Sequence, residues 1–508
     1  MNLLSSTYVF SFFTLLSRIL GYLRDILIAI FLGTSIFADA FFVAFRLPST
    51  FRRLFAEGTF NAAFIPSYTS VKIENKEKGK KFADEVLSLL ILALFFIVIL
   101  FEIFTPQLVY LIAPGFLENS EKFNLAIELT RITFPFLLFV SVSSFFSGIL
   151  NSNNRFAATA AAPIILNIIL ILSLLTSHLL KLDYAKQLSY GVTIGGIIQL
   201  LFLIFFTRKY YKLTFEFKTK LSNKVKFFFK KLLPSIFSSG ITQINILIGT
   251  IIASFEAGAV SYLYYADRIY QINLALAGIA VGTVSLPVLS KAFKQKNISK
   301  ISNIQSRSLE LCLLMSIPAS LGLILASEEI VSALFGYGSF SKEDINSTAT
   351  ALKFFGYGVP AFALIKILSN FFFARNNTKI PFYISAFIVL LNISVSLTFF
   401  SKVGFIIIPI ATSVSTWIGV VLYLYLLNDK NFLLLKNYLP KNIFKIILCT
   451  IIMSVILIFA LDHYVNYLEY NYKYKAAYLI LIVSFVAGVY LIACYLSGIL
   501  KVKNFKTN

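Results

Sequence analysis

The chain has 508 residues, of which 58% are hydrophobic and only 13% charged, with a mean hydropathy of +0.83. A soluble domain carries about a quarter charged residues, so a water-soluble globule is excluded, and no stretch alternates as the strand of a membrane barrel does. The three cysteines (Cys312, Cys449, Cys494) and two histidines (His178, His463) have no ligand spacing and point to neither metal nor histidine chemistry.

Apolar windows of about twenty residues recur from end to end, the signature of a polytopic helical membrane protein. The opening MNLLSSTYVFSFF has no basic leader region and no small-residue cleavage site, so it is expected to be a retained helix. Fourteen helices are predicted, over 7–31, 36–58, 83–112, 124–151, 158–180, 187–207, 231–255, 260–291, 306–336, 347–374, 380–400, 404–427, 443–463 and 475–500. With the amino terminus inside, twenty-nine lysines and arginines fall in inward loops and the tail. Seven fall outward: Lys122, Lys181, Lys186, Lys342, Lys402, Lys473 and Lys475. That bias is the positive-inside rule and predicts both termini on the cytoplasmic side. The net charge of +22 is then topology plus contact with an anionic inner leaflet, and no nucleic acid partner is expected.

The chain repeats itself. FFVAFRLPSTFRRLFAEGTFNAAFIPSYTSVK and YLYYADRIYQINLALAGIAVGTVSLPVLSKAFK each run from an aromatic cluster through an arginine (Arg46, Arg268) to a proline (Pro66, Pro287) that opens a basic loop. NNRFAATAAAPIILN and RNNTKIPFYISAFIVLLN place Asn167 opposite Asn392, and the offsets are all about 222–225 residues. The expected organisation is an all-α membrane protein of two pseudo-symmetric six-helix lobes, 1–208 and 232–428. A basic cytoplasmic linker, 209–231, joins them, and 429–508 adds two helices and a cytoplasmic tail. Parallel repeats facing each other across a central cavity are a common transporter plan.

Nine basic residues fall within predicted spans: Arg18, Arg24, Arg46, Arg52, Arg53, Arg131, Arg268, Lys353 and Lys366. Each costs about 2.5–3.5 kcal/mol near the bilayer centre. On the first helix Arg18, Gly21 and Asp25 share a stripe, with Arg24 to one side. On the second, Asp39, Arg46 and Arg53 recur every seven residues, Glu57 continues the line and Arg52 widens it. Arg268 adds a cation from the eighth helix, beside Asp267. Ion pairing between the first two helices accounts for Asp25 with one guanidinium, but these carboxylates are too few for the cations. The surplus predicts an anionic ligand, and the planar fork of arginine suits phosphate. Arg18, Arg24, Asp25, Asp39, Arg46, Arg52, Arg53, Glu57 and Arg268 are therefore the expected substrate-binding set, with Gly21 and Asp267 in gating or ion pairing.

As a set, SRILGYLRD, DAFFVAFRLP, RRLFAEGTFNAAFIP, YYADRIYQ with GTVSLPVLSK, and NNRF resemble the MurJ (MviN) family of lipid II flippases. This family sits in the multidrug/oligosaccharidyl-lipid/polysaccharide exporter superfamily, and the resemblance runs from Met1 to the tail GILKVKNF. It implies a transporter, not an enzyme, in the bacterial cytoplasmic membrane. Its cargo would be the undecaprenyl-diphosphate-linked peptidoglycan precursor, moved from the inner to the outer leaflet by alternating access. It implies no cofactor, coupling to the membrane potential or a monovalent cation, contact with other cell-wall synthesis proteins, and a groove for the polyprenyl tail beside the last two helices. Some members bind sodium through acidic ligands in the second lobe; the polar positions there are Asn245, Asn392 and Thr412, none a carboxylate. A flippase for another polyprenyl-linked glycan fits the charge equally, whereas a multidrug antiporter would be expected to line its cavity with carboxylates.

Overall fold

The computed structural model describes the backbone of residues 3–55, 59–212, 214 and 222–500, with side chains for the same residues except 3–8, 54–55, 59, 231 and 233–242. The chain opens with α1 (Leu3–Leu32), α2 (Ile36–Phe55), α3 (Thr59–Glu74), α4 (Lys76–Ile103) and α5 (Thr105–Ile112). It continues through α6 (Ser120–Thr133), α7 (Phe136–Ser152), α8 (Phe156–Leu180), α9 (Tyr184–Thr207) and α10 (Asn223–Ala253). Then come α11 (Ala259–Leu274), α12 (Val281–Lys294), α13 (Ile298–Leu325), α14 (Ser327–Phe335) and α15 (Lys342–Phe373). The last are α16 (Lys379–Val403), α17 (Ile407–Asp429), α18 (Leu439–His463), α19 (Val465–Leu468) and α20 (Lys475–Leu496). Among the described residues ten helical stretches are long and apolar enough to cross a membrane, which makes this an all-helical, multi-pass membrane protein.

Helix starts differ from the hydropathy reading for one physical reason. The predicted helix 83–112 begins at Lys76, because the Asn75 side chain accepts the N–H groups of Glu77 (2.8 Å) and Lys78 (3.1 Å). Such a cap satisfies orphan donors whatever the polarity of the first turn. Asn297 does the same for α13 through the N–H of Lys300 (2.9 Å), so the predicted helix 306–336 starts at Ile298 and finishes as α14. Residues 59–74, outside every predicted helix, form α3.

Boundaries repeat with one period. Helices α4 and α13 open at Lys76 and Ile298, α5 and α14 at Thr105 and Ser327, and α6 and α15 at Ser120 and Lys342, each 222 residues apart, the separation of Asp39 from Ser261. The caps repeat as well: Asn119 before α6 corresponds to Ser341 before α15. Asn154 and Asn376 both take the left-handed conformation at φ 58°, which asparagine adopts more readily than other side-chain-bearing residues. The second copy of the α2–α3 region is one continuous helical stretch, Ala259–Lys294, with a π-helical turn at Ala275–Ala280.

Packing divides the chain into two compact units, Met1–Ser261 and Tyr262–Asn508. The division falls after Ser261 and not in the basic segment 209–231, because α10 packs on α2, α3, α4 and α5. Its amino-terminal part is tied down: Phe228 is fully buried against the rings of Phe60, Phe64 and Phe82, and Glu85 accepts the N–H of Ser222 at 2.6 Å. Tyr211 donates to Asp84 next door. Burial, then that bond, push the Tyr211 phenol far above its ordinary range, so it remains a donor at any physiological pH. Elsewhere in the first unit α1 lies along α8, and α2 along α6.

In the second unit α15 is central and packs on α12, α13, α14 and α17, with Ile367, Phe371 and Phe372 in the core that it shares with α12, α13 and α17. Helices α18 and α20 pair with each other, and α18 rests on α13. Lys475, buried at the start of α20, donates to the carbonyls of Gly336 (2.7 Å) and Tyr470 (2.8 Å), which ties α20 to the carboxyl end of α14.

A Cβ at Gly148 would come within 2.7 Å of Phe64 Cδ1 and Asn61 Oδ1, whereas one at Gly322 would meet nothing within 4 Å. Gly148→Val is therefore expected to destabilise the protein by about 1–3 kcal/mol. The melting temperature in detergent should fall for that variant and not for Gly322→Ala.

Candidate functional site

The two arginines of α1 have different surroundings. Arg18 is exposed. Arg24 is buried: its Nε and Nη2 both donate to Asp25 Oδ1, at 3.0 and 2.7 Å, and its Nη1 donates to Asn167 Oδ1 at 2.9 Å. Asn167 Nδ2 in turn donates to the carbonyl of Ser17 at 3.0 Å. The Asp25 carboxylate thus pairs with Arg24, whose long side chain bends back to reach its neighbour in sequence. The same guanidinium fastens α1 to α8. Gly21 faces this junction, where a methyl group would sit 3.7 Å from Asn167 Nδ2, an ordinary contact.

Asp39 is not placed as the helical wheel suggests. It is 0% exposed at the start of α2. Oδ2 accepts Lys122 Nζ at 2.6 Å and the N–H of Gly258 at 3.0 Å. Oδ1 accepts the N–H of Ser261 at 3.0 Å and its hydroxyl at 2.6 Å. A carboxylate has about four acceptor positions, and in this arrangement these donors fill them. In this arrangement Asp39, expected in the substrate-binding set, joins α2, α6 and the amino end of α11. Lys122, expected in an outward loop, is the buried counter-ion, with its ammonium 4.1 Å from the centre of the Phe116 ring. Its polar surroundings, NSEKF, read as loop; the Asn119 cap was the available sign that a helix starts there.

A second tie joins the same two helices. Pro48 lies inside α2 and has no N–H to give the carbonyl of Ala44. The hydroxyl of Thr133, on α6, donates to that carbonyl at 3.0 Å instead.

Further along α2, Arg46, Arg52 and Arg53 are all half-buried. Glu57 lies outside the described residues. In the second unit Arg268 is half-buried on α11, where its Nη2 donates to the hydroxyl of Tyr264 at 2.9 Å and its guanidinium lies 4.8 Å from that ring. Asp267 accepts from Gln271 on the same helix. Of the expected cation positions, Asn245 belongs to α10 in the first unit, while Asn392 and Thr412 belong to the second. There Asn392 Oδ1 accepts the Ser396 hydroxyl at 3.3 Å and Thr412 donates to the carbonyl of Ile408 at 2.7 Å. Among the described residues no cluster of three or more His, Cys, Asp or Glu could hold a metal ion.

Residues 28–491 match the family model described as "Lipid II flippase MurJ". The probable lipid II flippase MurJ of Rickettsia prowazekii is 35% identical over 513 residues, covering 99% of each chain. That of Rhizobium meliloti is 40% identical over 415 residues, 80% of this chain and 77% of the relative. A solved structure, "Lipid II flippase MurJ, inward closed conformation", has a TM-score of 0.82 at 29% identity, covering 96% of this chain and 98% of the other. A multidrug resistance MATE family transporter of the MOP superfamily, inward-facing, shares the fold at a TM-score of 0.67 and 15% identity, over 82% of this chain and 94% of its own. The full-length match in sequence and fold places the chain in the lipid II flippase MurJ family.

Proposed function

We propose that this chain is a transporter that flips lipid II, the polyprenyl-diphosphate-linked peptidoglycan precursor, from the inner to the outer leaflet of the bacterial cytoplasmic membrane. The observation that carries the reading is 35% identity to a probable lipid II flippase along an alignment that covers 99% of both chains. The chemistry agrees with it: an anionic diphosphate is the ligand that a surplus of intramembrane guanidinium groups asks for.

In this reading Arg18, Arg46, Arg52 and Arg53 of the first repeat and Arg268 of the second gather the diphosphate. Arg24, seated between Asp25 and Asn167, holds α1 in place and adds its charge from a fixed position; Asp25 and Glu57 balance the local field, and Asp267 orders α11. Fourteen spans arranged as two six-helix lobes, with both termini cytoplasmic, would rock between inward-open and outward-open states while the polyprenyl tail stays in lipid along α18 and α20. With the inside negative, a head carrying about two negative charges would gain at most about 4–5 kcal/mol per 100 mV on moving outward. Coupling to a monovalent cation would fall to Asn245, Asn392 and Thr412. Anionic lipids would meet the basic inner face, and cell-wall synthesis proteins would receive the product. The likeness to MATE transporters supports a shared fold alone, and the cationic character of α1 and α2 argues against a cationic drug as cargo.

Arg268→Ala and Arg24→Ala are each expected to abolish delivery of lipid II to the outer leaflet in a flippase-depleted bacterium, with membrane insertion unchanged. Normal delivery by either variant would sink the reading. Because Arg24 uses three separate N–H groups, Arg24→Lys should also lose at least about tenfold in rate. Arg18→Lys, at an exposed position, should keep most of it; reconstituted flipping rates make the comparison.

A further inference from the structure

Two kinds of partner meet at Asp39. One is Lys122, an ammonium on α6; the other is the turn Gly258–Ser261, which offers two backbone N–H groups and a hydroxyl, all neutral. The first kind is anchored within the first repeat, since α2 and α6 are tied again by Thr133 and Ala44, independently of the carboxylate. The second kind opens α11, which continues beyond Ser261 into the second compact unit.

The repeat sharpens the distinction. Asp39 meets its own counterpart, Ser261, 222 residues away. The counterpart of Lys122 is Asp344, which accepts the N–H of Ser341 at 2.8 Å and lies 3.5 Å from the hydroxyl of Tyr262. The carboxylate–ammonium pair is therefore not something that the helix architecture requires, because the second copy builds the same elements with a hydroxyl and a carboxylate at those positions. Something specific to the first copy calls for it.

We propose that Lys122 is the standing counter-ion of Asp39, a positioning residue that keeps the carboxylate paired and oriented when the Gly258–Ser261 turn releases it during transport. The proposal rests on the alternating-access reading given above. Release of the turn removes hydrogen bonds to neutral groups but leaves the charge paired. Release without Lys122 would leave an isolated anion in a buried site, a far larger penalty. Gly258, at φ 75°, shapes this segment as a tight turn.

The test uses the full chain in cells depleted of their own flippase, with Cys312, Cys449 and Cys494 replaced by alanine and Ala259→Cys as reporter. Ala259 is 0% exposed, so a membrane-impermeant maleimide added from outside labels the reporter only if the turn lets go. Labelling is expected in the otherwise unaltered background. Lys122→Met should cut labelling and lipid II delivery together by at least about tenfold, and Lys122→Arg should restore both. The double variant D39N/K122M, which has no charge to strand, should label well above Lys122→Met alone. It also covers the case in which Lys122→Met does not fold. No labelling in any folded background would make the clamp a permanent seal and overturn the proposal. So would full labelling of Lys122→Met, or a folded double variant that stays unlabelled. The expected labelling pattern without lipid II delivery would fault the flippase reading and leave the counter-ion role supported.

Discussion

A carboxylate removed from water is stable only where donors surround it. At Asp39 an ammonium, two amides and a hydroxyl converge on two oxygens. Three helices meet because each brings one kind of donor or acceptor: the acid on α2, the base on α6, the amino end on α11. The same pair of helices solves a second desolvation problem, where Pro48 orphans the carbonyl of Ala44 and Thr133 adopts it. With these polar demands met inside the protein, α2 can carry Arg46, Arg52 and Arg53 further along without unravelling at its start.

Duplication has conserved the punctuation of the chain more strictly than its charges. Asn75 and Asn297 start equivalent helices, Asn119 and Ser341 do likewise, and Asn154 and Asn376 share one left-handed angle. Caps and turns are set by backbone hydrogen bonding, which a membrane makes compulsory. The ionisable groups obey a different rule. The first repeat holds Arg24, Asp25, Asp39 and Lys122 in buried pairs, and the second presents Arg268 over a tyrosine ring. One scaffold thus carries two unequal halves.

Much of this was legible in the sequence, and the boundary between legible and hidden is physical. Apolar windows report what lipid demands of a span, so the ten described stretches long and apolar enough to cross a membrane could be read from hydropathy, whereas the full set of fourteen was not recovered. Helix starts could not, because hydropathy penalises the lysines of KEKGKK while the Asn75 cap outweighs them locally. Arg46 and Arg268 stood out through their matched distances to Pro66 and Pro287. The surroundings of Asp39 were hidden: a helical wheel knows only its own helix, and its counter-ion, Lys122, lies 83 positions away in a segment that reads as loop. Asn167 was visible as an echo of Asn392, but its bridge between Arg24 and Ser17 appears only once α1 lies on α8.

The placement of α10 has a consequence for synthesis. A chain leaves the ribosome amino end first, so α2–α5 are made before the helix that they pack against, α10. Phe60, Phe64 and Phe82 await Phe228, near the start of α10. The first half of the protein therefore cannot mature alone: its last structural member is translated only after the second repeat has begun.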